Sequence, residues 1–293
     1  MIPKEWLKKI RRIELRTTLL VESLMAGQYR SVFKGRGMDF DEVRPYEPGD
    51  EVRRIDWNVT ARTGVVHIKK YVEERELSVL LVVDISGSSQ TGSVDQSKRE
   101  TAAELAAVLA FSAILNNDKV GLLLFSDKAE RYIAPRKGRQ HVLAIIDLIL
   151  TCQPRSRGTN ISSALNRIHH AHSRKAVIFL ISDFMDHDFD RALKVVGRKH
   201  DLIAVPVTDP SERELPDVGW IALEDAETGE VLEINTSRPE AKALFAANSA
   251  KRLENVRQSL RLAGLDKIEV ETGQPYLKAL TRFFHTRYHR LHP

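Results

Sequence analysis

The segment Asp84-Ile85-Ser86-Gly87-Ser88 sets a carboxylate and two hydroxyls at i, i+2 and i+4. In an extended segment that spacing puts all three side chains on one side. Thr159 stands just before a stretch with helical patterning, and Asp183 follows the apolar run 175–181. Two carboxylates and three hydroxyls make an oxygen-only donor set. Such a set suits a hard divalent cation, with Mg²⁺ or Mn²⁺ the natural occupants. No His or Cys falls within these motifs, which disfavours a zinc site. Each residue taken alone has a plainer reading. Asp and Ser after a strand commonly cap the next helix, Thr159 fits a cap or turn, and Asp183 fits a loop acid. Their conjunction at the ends of three strands favours chemistry over coincidence.

The elements that must position these residues can be traced along the chain. Residues 78–83, apolar throughout after Ser78 and followed by Asp84, have the pattern of a buried parallel strand. Similar strands are expected at 119–125, 175–181 and 201–207, with 129–133 folding back on the second as a hairpin. Helices are expected at 97–115, 140–150, 160–171 and 189–199. Strands alternating with helices over about 130 residues predict an α/β fold with a mainly parallel sheet. Ligands of such sheets sit beyond the carboxyl ends of the strands, where Asp84, Thr159 and Asp183 fall.

The flanks read differently. Residues 3–26 have the spacing of an amphipathic helix, with Trp6, Ile10, Ile13, Leu20 and Leu24 on its apolar stripe. Glycines and prolines interrupt 27–63, and a strand is expected at 65–71. Beyond 210, the runs 218–223 and 231–234 flank Asp225-Ala226-Glu227-Thr228-Gly229 as a hairpin turn. A long helix is expected at 240–263, with Pro239 at its start and Gly264 just past its end. A short strand at 267–271 and a final helix at 275–289 complete the chain. The organisation expected is a flanking segment 1–76, a metal-site domain 77–210, and a hairpin with C-terminal helices at 211–293 that packs with the flanking segment as a small α+β subdomain.

The 293 residues, 42% hydrophobic and 29% charged, are ordinary for a folded chain with a sizeable core. One cysteine, Cys152, rules out an intrachain disulfide and fits a reducing compartment. No apolar stretch approaches the roughly 20 residues that cross a bilayer, so no transmembrane segment and a cytoplasmic location are expected. Net charge is +5, with Lys278, Arg282, Arg287 and Arg290 forming an acid-free tail. Nucleic-acid binding wants a denser stripe and a recognisable module, so that tail is read as a solvated helix face.

The order Asp-x-Ser-x-Ser, then Thr, then Asp after a strand resembles the metal-ion-dependent adhesion site (MIDAS) of von Willebrand factor type A domains. Asp84, Ser86, Ser88, Thr159 and Asp183 match its five positions. The resemblance implies direct ligation by Ser86, Ser88 and Thr159, action of the two Asp mainly through water, and an open position for a partner's carboxylate. A second resemblance lies upstream. Gly35-Arg36-Gly37-Met38-Asp39-Phe40 is followed by Arg44-Pro45-Tyr46-Glu47-Pro48-Gly49-Asp50, Arg53-Arg54-Ile55-Asp56-Trp57, Thr60-Ala61-Arg62 and Glu73-Glu74-Arg75. This series is similar to the domain of unknown function 58 family of bacterial proteins. That family implies a von Willebrand A-like fold and a link to MoxR-type AAA+ ATPases. Many of its members carry N-terminal transmembrane helices, and this chain resembles the shorter, soluble branch.

The residues of the upstream segment by themselves suggest a structural role. Arg44, Arg53 and Arg54 are expected to pair with Asp50 and Asp56, with Phe40, Tyr46 and Trp57 as apolar anchors that fix the segment on the core. His285 and His289 stand at i, i+4, but Thr286 occupies the place where a zinc protease needs Glu. His169, His170 and His172 read as surface residues. No Walker loop, dinucleotide fingerprint or nucleophile elbow is present. The function expected is therefore non-enzymatic: cation-dependent binding of a MoxR-type ATPase or its client through an acidic side chain. The alternatives are a Mg²⁺-dependent phosphate-ester hydrolase at the same site, disfavoured for want of a base or nucleophile, and a scaffold whose site stays empty.

Overall fold

The computed structural model describes residues 10–13, 26–33, 39–72, 76–92 and 96–292. At its centre is a seven-stranded sheet. Its members are β3 (Ser78–Asp84), β4 (Lys119–Phe125), β5 (Ala129–Arg136), β6 (Val177–Ser182), β7 (Asp201–Thr208), β10 (Asp266–Lys267) and β11 (Val270–Glu271). The spatial order is β10-β7-β6-β3-β4-β5, with β11 also on β7. All pairings are parallel except β4 with β5. This is the α/β, mainly parallel architecture the alternation predicts.

The uniformly apolar strands follow from burial on both faces. Val79, Leu81 and Val83 of β3 enter one core, and Leu80 and Val82 enter the other. The first core is roofed by α3 (Lys98–Leu115) and α4 (Arg139–Thr151). The second is covered by α5 (Ile161–Ala171), α6 (Asp190–Lys199) and, through Val256 and Leu260, α7 (Pro239–Leu262). Pro239 is at the start of α7 and Gly264, with φ of 68°, stands just past its end. The left-handed value there is one that glycine adopts without steric cost.

The expected N-terminal helix lies mostly outside the described residues, including Trp6, Leu20 and Leu24. Residues 10–13 are helical, with Ile10 and Ile13 buried. Gly35, Gly37, Met38, Glu73, Glu74 and Arg75 also lie outside them, as does the side chain of Phe40.

The segment read as broken by glycine and proline is more ordered than its composition suggests. It contains α1 (Ala26–Phe33), β1 (Asp39–Pro45) and α2 (Trp57–Thr63), and β1 pairs antiparallel with β2 (His67–Val72). Arg44 does grip Asp50, by two hydrogen bonds of 2.9 and 2.7 Å. Arg54 instead pairs with Glu51 at 2.9 Å. Asp56 accepts from the backbone N–H of Asn58 and Val59 as the cap of α2, and Lys69 lies 3.5 Å away. Trp57, expected as an anchor, is 66% exposed. These charges satisfy one another over short sequence separations, so they shape the segment locally.

Among the described residues, α1 attaches the upstream chain to the core together with Ile10 and Ile13. Tyr29 is fully buried and donates to Asp118 at 3.1 Å, and Asp118 also accepts from the Leu77 N–H. Phe33 meets Phe179 and Phe284 edge-on at 6.0 and 5.8 Å. Phe284 belongs to α8 (Tyr276–Leu291). Asp56→Ala is therefore expected to cost about 1 kcal/mol, the loss of a helix cap, and not the several kcal/mol of a buried ion pair. Chemical denaturation of the variant against wild type checks the size.

The basic tail on α8 is partly neutralised. Arg287 pairs with Asp201 and Asp266 and lies 5.0 Å over the Phe33 ring, and Arg290 is bidentate on Asp266. Two of its four cations are thus tied to the end of the central sheet. His169 and His172, expected on the surface, are half-buried, and His172 faces His200 at 6.1 Å between ring centres.

Candidate functional site

Asp84 ends β3, and Ser86 opens a tight 3₁₀ turn over Gly87–Gln90. The Asp84 carboxylate is buried and doubly committed. One oxygen accepts from the Ser86 N–H at 2.9 Å, and the other accepts from the Ser182 hydroxyl at 2.6 Å. Ser182 ends β6, the strand beside β3, so this bond ties two adjacent strand ends together. Ser86 and Ser88 lie next to the carboxylate, both buried, with their hydroxyl oxygens 3.1 Å apart.

Asp183 follows β6. Its Oδ1 accepts from the Met185 N–H at 3.1 Å, and its Oδ2 meets the Lys98 ammonium at 2.5 Å. The chain then reverses through Phe184 at φ of 57°, an unusual conformation for a bulky residue. Burial of Phe184 against Phe189, with ring centres 5.8 Å apart, holds it there.

Thr159 arrives from the loop between α4 and α5. The Gly87 N–H donates to the Arg157 carbonyl at 2.8 Å, and the Asn160 N–H donates to the Ser126 carbonyl at the end of β4 at 2.8 Å. These two bonds bracket Thr159 beside the 84–88 turn. The cap of α5 is Asn160, which accepts from the Ser163 N–H, so capping does not account for Thr159. Its hydroxyl donates instead to Glu227 at 2.5 Å.

Four of the five residues singled out in the sequence thus stand at or just after the ends of the neighbouring strands β3 and β6, whereas Thr159, expected at a strand end, comes from a helix–helix loop that is hydrogen-bonded alongside them. Four further side chains complete the surroundings. Lys98, the first residue of α3, is buried and bridges Asp183 and Glu212, each at 2.5 Å. Arg252 of α7 pairs with the other oxygen of Glu212 at 3.2 Å. Glu227 comes from the turn between β8 (Trp220–Glu224) and β9 (Val231–Asn235). Sequence patterning marked Lys98 only as part of a helix and Glu227 only as a turn residue. The acid-rich turn was the one available signal.

Electrostatics follow from this crowding. Burial, then the nearby Asp183 charge, pushes the Asp84 carboxyl up to about 7, against the hydrogen bonds from Ser182 and Ser86. Burial likewise raises Glu227, with the Asp183 charge adding to it and the Thr159 bond opposing. Burial disfavours the Lys98 ammonium, but Asp183 and Glu212 outweigh it and hold Lys98 above its ordinary range.

The donor set fits a small hard cation. The Ser86 and Ser88 hydroxyls are hydrogen-bonded to each other at 3.1 Å, a separation close to the roughly 3.0 Å between two cis ligands of an octahedral ion at about 2.1 Å. Both oxygens of Asp84 and both of Asp183 accept hydrogen bonds, and the hydroxyls of Ser86, Ser88 and Thr159 complete the oxygen donor set. Among the described residues no group of three or more His, Cys, Asp or Glu is placed to hold a metal ion. A hydroxyl-rich set of this kind is a different donor type.

The family profile described as "Protein of unknown function DUF58" matches residues 42–255, a span that contains all five residues and Glu227. An uncharacterized protein of Mycobacterium tuberculosis is 31% identical over 281 residues, covering 95% of this chain and 88% of its own. Among solved structures, the conserved hypothetical protein BatB from Bacteroides thetaiotaomicron is 19% identical with a TM-score of 0.46, covering 72% of this chain and 98% of that one. The VWA domain of SpRpn10 is 10% identical with a TM-score of 0.39, covering 70% of this chain and 94% of that one. Among the described residues no helix is long and apolar enough to cross a membrane. With the profile spanning most of the chain and a relative matched along nearly all of it, the chain belongs to the DUF58 family.

Proposed function

We propose that this chain is a non-enzymatic protein-binding module that docks an acidic side chain of its partner through a bound Mg²⁺ or Mn²⁺. Ser86, Ser88 and Thr159 would hold the cation directly, and Asp84 and Asp183 would hold it through water. The single observation that carries the reading is the pair of buried hydroxyls of Ser86 and Ser88, 3.1 Å apart and hydrogen-bonded to each other beside a buried carboxylate. When bound, the cation supplies a positive centre that accepts a carboxylate directionally. The protein's own part is to pre-set the oxygens, and the Asp84–Ser182 and Gly87–Arg157 bonds do that.

Lys98 does not supply the general base that hydrolysis would need. It is the basic side chain in contact with Asp183, and its two carboxylate partners keep it protonated and unable to act as a general base. The resemblance noted in the sequence points to a MoxR-type AAA+ ATPase or its client as partner, in the cytoplasm.

Titration calorimetry with Mn²⁺ tests the reading. Wild type should bind one ion, and the double variant Ser86→Ala/Thr159→Ala should show no saturable binding at the same concentrations. Equal binding by the two proteins would overturn the site. Hydroxyl donors are neutral, so the affinity expected is modest.

A further inference from the structure

We propose that Glu227 is an additional ligand of this site, a carboxylate supplied by the chain's own β8–β9 hairpin in the position that a partner's acidic side chain would take. The inference rests on the cation reading above.

Four observations point to it. The Glu227 carboxylate lies 2.5 Å from the Thr159 hydroxyl, one of the three direct donors. The backbone of the same turn sits on the 84–88 loop. A side chain built at Gly87 would place its first carbon 2.2 Å from the Ala226 carbonyl oxygen, so the turn occupies the space that glycine leaves open between Ser86 and Ser88. The turn is also stiff. Asp225 accepts from the N–H groups of Glu227 and Thr228 at 2.8 and 2.9 Å, and Gly229 takes a left-handed φ of 75°. Asp225 is therefore folded back into its own turn while Glu227 is directed to Thr159. Finally, Arg157, whose carbonyl holds the Gly87 N–H, has its guanidinium 3.5 Å from Glu224 of β8. The hairpin tip and both site loops are tied at the same place.

A tip docked in this way has a chemical consequence. An acidic side chain from a partner must displace Glu227, so the site discriminates between strong and weak acidic ligands by competition with its own hairpin. The hairpin forms a two-stranded sheet of its own, so the tip can withdraw without breaking the pairing of the central sheet.

The test uses the full chain, Mn²⁺ alone as probe, and two readouts: calorimetric affinity and the water-proton relaxivity of the bound ion. Glu227→Ala is compared with wild type and with Glu230→Ala, an exposed position on the same turn. The expected result is about a tenfold weaker Mn²⁺ affinity for Glu227→Ala, with a relaxivity raised by about one exchangeable water per ion. Glu230→Ala should match wild type in both. If wild type binds Mn²⁺ and loses it in Ser86→Ala/Thr159→Ala, yet Glu227→Ala changes neither readout, the internal ligand is overturned and the cation site stands. If wild type binds no Mn²⁺, or the double variant binds it equally, both readings fall together.

Discussion

In the absence of divalent cations at pH 8, Asp84→Asn should be more stable than wild type. The buried Asp84 carboxyl has its pKa raised from 3.8 to about 7, first by burial and then by the Asp183 charge. A group whose folded pKa lies above its unfolded value contributes stability that is fully present below the unfolded pKa, here about pH 4. That contribution is lost as pH rises through about 7. A pKa difference of one between the folded and unfolded chain corresponds to about 1.36 kcal/mol, so wild type should lose on the order of 2–4 kcal/mol between pH 4 and pH 8. Asparagine carries no charge to desolvate. Its carbonyl can accept from the Ser86 N–H, and its amide can donate to the Ser182 hydroxyl, which already accepts from the Phe184 N–H. Urea unfolding at the two pH values gives the measurement. The advantage of Asp84→Asn should appear at pH 8 and vanish near pH 4. Added Mn²⁺ should stabilise wild type and leave the variant nearly unchanged. A variant less stable than wild type at both pH values would mean that the Asp84 charge is already compensated within the fold. Stability given up at one buried carboxylate is what a cation-binding site is expected to show before its ion arrives.

The second large effect concerns Lys98. Replacing it with methionine keeps the length of the stem and removes the ammonium that Asp183 and Glu212 share. Both carboxylates would then be left in a nearly dry setting, with Arg252 still beside Glu212 at 3.2 Å. Breaking a buried pair from one side costs roughly 3–5 kcal/mol, because the remaining charge has lost its water and its partner. Lys98→Met should therefore unfold at clearly lower denaturant with an unchanged slope. Adding Asp183→Asn should return part of the loss, since it removes one of the two stranded charges. If the single variant is as stable as wild type, water reaches these carboxylates and the pair is an exposed one in energetic terms.

Much of this arrangement is legible in the sequence. The apolar runs at 78–83, 119–125 and 175–181 had to be strands buried on both faces, because nothing else hides so continuous an apolar surface between helices. The direct succession of Asp84, Ser86 and Ser88 after such a strand placed them at a carboxyl edge, and the structure sets Asp84 at the end of β3 beside the end of β6. Asp183 was legible for the same reason, whereas Thr159 follows a helix and is brought to the 84–88 turn by the tertiary bonds of its neighbours Arg157 and Asn160. The hairpin turn at 225–229 and the proline start and glycine stop of α7 were equally local in origin.

The failures share a cause. Alternating Arg and Asp in the 44–56 region suggested an anchor to the core, yet those charges find partners within a few residues, and Trp57 is left in solvent. Ion pairing has no sequence period, so its partners are chosen by proximity in the fold. The true anchor, Tyr29 with Phe33, lies in a short helix in a stretch where glycines obscure the pattern. The chain by itself determined the parallel sheet and the placing of Asp84, Ser86, Ser88 and Asp183 at or just after its strand ends, because strand burial and strand ends are written in nearest-neighbour periodicity. Only the tertiary structure decided that Lys98 meets both Asp183 and Glu212, and that Glu227 meets Thr159. Those contacts join residues 68 to 114 positions apart, and at such separations the packing of whole elements, which no local pattern records, sets which side chains share a few ångströms of space.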